Sequence, residues 1–255
     1  YMIKSRRIKT MFLKYFISFS LIITFNLYSD DHMVSIESDG SVGEFNYVTV
    51  TNPMSFMMAL DEFDKSSCAK KWRAESDVNV SLWALRGSGS STHFILVSYD
   101  DWDKMEKGRS IFTSCKEAAD MLVKISNNTD SSRSWNWVTQ NVLSGRAWKA
   151  NTSFAKFNFK VERGKDAEYI EMWKSMMLDQ MENTAGSFGL NAVSYGNRYA
   201  NYMVYIGADS VSELNNSIAK VRQTESYKKY TSATTDMLSN INSEMVQLVK
   251  FYTGE

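Results

Sequence analysis

The sequence predicts an α+β fold built from two successive β-α-β-β-α-β units in one chain of 255 residues. Three observations predict it. From residue 44 onward the order strand, helix, two strands, helix, strand runs twice. The first helix of each unit carries the same stripe at one constant spacing: Phe56, Ala59, Leu60, Phe63 and Ser67 are matched by Tyr169, Met172, Trp173, Met176 and Gln180. The paired middle strands of both units alternate, so each has one apolar and one mixed face.

The first unit is expected over residues 44–150. FNYVTVT (45–51) reads as a strand, and a helix over 53–72 follows, since Pro53 after Asn52 suits a first helical turn. NVSLWALR (79–86) and HFILVSY (93–99) alternate around the hairpin loop GSGSST. A short helix opens at Asp100-Asp101-Trp102. A longer one follows Gly108, with Ile111, Cys115, Ala118, Leu122 and Ile125 on one face, and a strand over 138–148 closes the unit. The second unit, over 151–255, repeats this with a strand at 155–161, a helix at 166–184, strands at 188–195 and 199–206, a helix at 210–223, a further helix, and a last strand at 246–252.

Ahead of these units, Lys4, Arg6, Arg7, Lys9 and Lys14 precede the apolar run YFISFSLIITFNLY (15–28). A basic stretch, a short apolar stretch and Ser29 before acidic residues describe a signal peptide over 1–29, with an uncleaved membrane anchor as the alternative. A flexible mature N-terminus over 30–43 is expected to follow. The apolar run is shorter than the roughly 17–25 residues of a membrane span, so the expected location is secreted or periplasmic, with no membrane attachment after cleavage. Removing 1–29 takes five basic residues and no acidic one, leaving a mildly acidic chain that should avoid nucleic acid. Lys+Arg and Asp+Glu are otherwise balanced at 29 each. Two His and two Cys leave no material for a conventional zinc site, and Asp100, Asp101 and Asp103 lack the spacing of a calcium loop. No metal and no cofactor is expected. The oligomeric state is left open.

The β-α-β-β-α-β order is the ferredoxin-like split unit. Two such units in tandem, with the stretches SYDDWDKMEKG and ESYKKY, resemble the dimeric α/β-barrel superfamily. That superfamily includes antibiotic-biosynthesis monooxygenases, NIPSNAP proteins and chlorite-dismutase-like haem proteins. The resemblance covers residues 44–255 and is architectural. It implies an intramolecular pseudo-dimer of two facing sheets. It also implies that a cofactor-independent oxygenase would work in a pocket between sheet and helices, where this sequence reads as apolar core. An axial haem His is implied for the haem proteins, and His93 does not sit in a matching motif.

On the first hairpin, pairing Arg86 with His93 and Trp83 with Leu96 puts Val80, Leu82, Ala84, Ile95 and Val97 under the helices. Trp83, Leu85, Phe94 and Leu96 then face the other way. The second hairpin divides likewise, with Asn191, Tyr195, Tyr199, Asn201 and Tyr205 on the mixed face, joined by Tyr47 from the first strand. Aromatic rings beside amides suit a small organic ligand, or equally a seam between the two sheets. The expected ligand-binding set is Trp83, Tyr47, Asn191, Tyr195, Tyr199, Asn201 and Tyr205. His93 beside Arg86 is a candidate polar site, and no catalytic residue is identified. No phosphate loop, zinc-protease or nucleophile-elbow motif is present. The sequence therefore points to an exported small-molecule-binding or interaction protein without evident catalytic machinery, or alternatively to a cofactor-independent monooxygenase-like enzyme acting on a small organic substrate. Cys68 and Cys115 are expected near the same end of one helical layer. They form either a disulfide, which export permits, or two separate buried thiols.

Overall fold

The computed structural model describes residues 35–254 apart from 88, 90, 197 and 198. The expected signal peptide lies outside the described residues.

The first unit runs β1 (Val42–Val48), α1 (Pro53–Asp64), α2 (Ser67–Ser76), β2 (Asn79–Arg86), β3 (His93–Tyr99), α3 (Trp102–Ser114), α4 (Lys116–Ser126) and β4 (Trp135–Gly145). The second runs β5 (Ser153–Val161), α5 (Asp166–Asp179), β6 (Phe188–Tyr195), β7 (Tyr202–Ala208), α6 (Val211–Gln223), α7 (Glu225–Thr234) and β8 (Leu238–Tyr252). The eight strands close into one antiparallel barrel in the order β1-β3-β2-β8-β5-β7-β6-β4. Each unit contributes four consecutive staves with its last strand beside its first and its third beside that, the ferredoxin-like arrangement. The two units meet along β2–β8 and β4–β6. Closure leaves no sheet edge exposed for pairing.

Strand alternation divides the core in three. Leu82, Val80, Ile95 and Val97 face outward and pack with Phe56, Leu60, Phe63 and Trp72 of the helices above them. The second unit repeats this with Leu190, Tyr202 and Val204 against Tyr169, Trp173 and Met176. The third cluster fills the lumen: Phe45, Tyr47, Trp83, Phe94, Trp137, Phe154 and Met203. The observed hairpin register pairs Ala84 with His93 and Trp83 with Phe94, two residues away from the expected pairing. A shift of two preserves which face each side chain takes, so the division into faces stands although the partners differ.

Several boundaries differ from the sequence expectation. The single helix expected over 53–72 is two helices, because the Ser66 hydroxyl accepts from the Ala69 amide and starts a new helix. The expected longer second helix breaks at Cys115, whose backbone is extended between α3 and α4. Cys68 and Cys115 form a disulfide with Cα atoms 6.0 Å apart, tying the start of α2 to that break. α5 stops short of 184, and in the segment that follows it the carbonyls of Met181, Thr184 and Gly186 accept from the Arg146 guanidinium. β4 begins at Trp135 and β8 at Leu238, earlier than expected, and both early stretches face the lumen with chemistry that an apolar-run criterion passes over.

Candidate functional site

The lumen is asymmetric in a way the pairing makes explicit. In the first unit Phe45 lies opposite Trp137 and Leu96, and Tyr47 opposite Trp135 and Phe94. In the second unit Lys156 lies opposite Glu244 and Tyr205, and Asn158 opposite Asn242 and Met203. One unit therefore presents mainly rings to the lumen, and the other a polar ladder.

The two surfaces meet at Lys156. Its Nζ donates to the Tyr47 hydroxyl at 2.5 Å and to Glu244 Oε2 at 3.1 Å, while the Tyr47 hydroxyl donates to the same carboxylate oxygen at 2.9 Å. The second Glu244 oxygen accepts from the Asn242 amide at 3.0 Å, and Asn242 in turn accepts from Asn158 at 2.7 Å. Around the ammonium, the ring centroids of Phe45, Phe94, Tyr47 and Trp137 lie 4.7, 4.9, 5.1 and 5.3 Å away, an aromatic cage of the kind that holds cations. Lys156 and Glu244 are both 3% exposed, which excludes water and makes their mutual attraction the main compensation for burying either charge. Burial pulls the Lys156 amine below its ordinary value, and Glu244 opposes that shift. The Tyr47 hydroxyl is pushed well up, by burial first and by Glu244 second, and so stays a donor.

Beside this cluster lies a cavity of about 80 Å³, lined by Phe45, Trp83, Phe94, Phe154, Lys156 and Tyr205 among others. Gly189 shapes one wall: a Cβ there would stand 2.4 Å from the Tyr205 ring, so only glycine lets that ring lie across β6. Burial raises the Tyr205 hydroxyl as well. Trp83 is fixed by its indole N–H donating to the Ser81 hydroxyl at 2.8 Å, and its ring meets Phe154 edge-on at 5.3 Å. Asn191 and Asn141, also in the lining, bond to each other at 3.2 Å.

Of the residues singled out from sequence, the structure brings Trp83, Tyr47, Asn191 and Tyr205 together in the lumen. Tyr195 and Tyr199 stand 67% and 60% exposed. An irregularity in register between Val138 and Thr139 carries Tyr195 to the rim, edge-on to Trp102 at 5.9 Å, and Tyr199 precedes the start of β7. Asn201 serves the backbone instead, accepting from the Val161 amide at 2.7 Å and donating to its carbonyl at 2.9 Å. His93 and Arg86 lie on the outward faces of β3 and β2, with Phe56 6.4 Å from the imidazole and Arg86 exposed. Burial, and then the Arg86 charge, hold the imidazole below its ordinary value. Sequence reasoning missed Lys156, Glu244, Trp135 and Trp137. The period-two runs Trp135-x-Trp137 and Asn240-x-Asn242-x-Glu244 were the available signal.

No family model and no curated protein matches the sequence. Among solved structures the chain is similar to a candidate monooxygenase from Fusobacterium nucleatum, at a TM-score of 0.59 and 14% identity over 83% of this chain and 93% of that one. A candidate monooxygenase from Lactobacillus acidophilus gives 0.56 and 11% over 84% and 97%. An anthrone oxidase-like protein gives 0.58 and 14% over 85% and 95%. The architecture is the dimeric α/β-barrel. In this chain both halves of the α/β-barrel come from one polypeptide, and its lumen holds the Lys156 cluster. Among the described residues no group of His, Cys, Asp and Glu could hold a metal ion, and no helix is long and apolar enough to cross a membrane.

Proposed function

We propose that this chain is an exported, cofactor-independent monooxygenase-like enzyme that acts on a small organic substrate held in the barrel lumen. The observation that carries the site is the open space beside a buried ammonium: Lys156, itself only 3% exposed, lines the cavity and can donate to a substrate oxygen there. The fold shared with two candidate monooxygenases and an anthrone oxidase-like protein supports the reaction class, although fold alone does not determine chemistry. The Cys68–Cys115 disulfide supports export, since such bonds persist in oxidising compartments.

A second reading, a non-catalytic binding protein, is favoured by one feature. Both Glu244 oxygens are already engaged, by Lys156, Tyr47 and Asn242, so the carboxylate presents no unbonded oxygen to a substrate. Oxygen uptake by the purified protein, presented with a panel of small uncharged organic compounds, separates the two. The enzyme reading expects uptake that depends on substrate and is lost in Lys156→Met. Saturable binding with no uptake supports the carrier.

A further inference from the structure

The charges in the lumen restrict what it can accept. Lys156 is the one charged residue in the cavity lining among the described residues, and its positive charge is already matched by Glu244 at 3.1 Å. An ammonium has three N–H donors. Two are taken, by Tyr47 and Glu244, and the remaining surroundings are ring faces. The two amide side chains of the lining are already committed to each other and to their neighbours. Asn141 donates to Asn191, Asn191 donates to Thr139, and the Asn141 oxygen accepts from the Asp39 amide.

From this arrangement we infer that the lumen selects a short, uncharged carbonyl compound, whose oxygen takes the third N–H of Lys156 while its carbon skeleton lies among Trp83, Phe94 and Phe154. The inference rests on the lumen being the ligand site, as proposed above. A carboxylate ligand would add an unmatched negative charge next to a neutral pair, and an amine would meet a like charge. Either cost is severe away from water. A pure hydrocarbon would leave the third N–H on ring faces alone. A neutral carbonyl gains a charge-assisted hydrogen bond and leaves the charge balance unchanged. Size limits the skeleton. About 80 Å³ is roughly half of the ~150 Å³ cavity known to take benzene, so a three- to five-atom ketone, aldehyde or amide fits, and a fused-ring substrate does not.

The test uses the whole protein and four probes of similar size: 2-butanone labelled with ¹³C at the carbonyl, butyrate, n-butylamine and n-butane. Binding is followed by NMR titration. The expected result is saturable binding of 2-butanone near about 1 mM, a reasonable limit for five heavy atoms, with the two charged probes at least about tenfold weaker. The bound ¹³C carbonyl resonance moves downfield, as a carbonyl does on accepting from an ammonium. The double variant Lys156→Met/Glu244→Gln, which removes both charges together, loses that downfield shift while retaining n-butane binding. Butyrate binding as tightly as 2-butanone, or a bound ketone with no downfield shift, overturns the inference. Binding of n-butane but not of the ketone overturns it too and leaves the lumen as the site. Failure of every probe to bind removes the lumen reading itself.

Discussion

Lys156 shows how a single side chain can couple two halves of a molecule. Its backbone belongs to the second unit, and all four rings of its cage belong to the first. Removing one member of a buried ion pair leaves the other charge without compensation and costs about 3–5 kcal/mol, whereas replacing both by neutral groups of similar size is often close to neutral. Lys156→Met is therefore expected to lower stability by that amount in urea unfolding, with Lys156→Met/Glu244→Gln recovering most of the loss. Equal losses in the single and double variants would mean that the charge pairing is not what Lys156 contributes. These two residues were not legible from sequence, because an isolated Lys in AKFNFKV and an isolated Glu in INSEM look like solvated positions. Only barrel closure, which brings the first unit's rings over the β5–β8 ladder, takes them out of water. Trp83 was legible because its alternation pattern survived a two-residue error in register.

Among the elements, the helical layer of the first unit is the more interrupted of the two, and the disulfide sits where it breaks. Cross-linking residues separated by 47 positions restricts the unfolded chain and is worth about 2–4 kcal/mol. Cys68→Ser/Cys115→Ser is expected to lose that much without altering the barrel, checked by unfolding and by far-ultraviolet circular dichroism. Two alkylated thiols in the untreated protein would mean that the bond does not form. The breaks at Ser66 and Cys115 escaped the periodicity reading because the apolar stripe continues across them. Ser66 as a cap was readable, while the extended backbone of Cys115 was not. β3 supplies a pH dependence. His93 is the single histidine among the described residues, and its folded value lies below the ordinary 6.5. As pH falls through about 6.5 the unfolded state takes up the proton first. The stability contributed by neutral His93 is thus present above that pH and declines below it. Urea midpoints at pH 8 and pH 5.5 should differ less in His93→Gln than in the parent, and an unchanged difference would assign the dependence to the carboxylates.

At the scale of the whole molecule, the repeat was readable from its helix stripes and strand order, and the closed barrel accommodates both copies. What the repeat hid was divergence. The first and last strands face the lumen with Phe45–Trp137 and Tyr47–Trp135 in the first unit and with Lys156–Glu244 and Asn158–Asn242 in the second, pairs that share almost no chemistry. That divergence has a consequence for assembly. Two copies of the aromatic unit facing each other would enclose an oily chamber with no cation for its rings. Two copies of the polar unit would confront lysine with lysine and glutamate with glutamate. Only the mixed pair satisfies both faces, so the units behave as a lock matched to one key. Expressed as separate polypeptides split between residues 145 and 153, they should ignore their own kind and recombine with each other. Size-exclusion chromatography of the mixture would show a one-to-one complex, and self-paired species in its place would mean that the two faces do not discriminate. A duplicated gene that began as two equal halves would, once its lumen faces had parted in this way, have lost the option of working as a single half paired with itself.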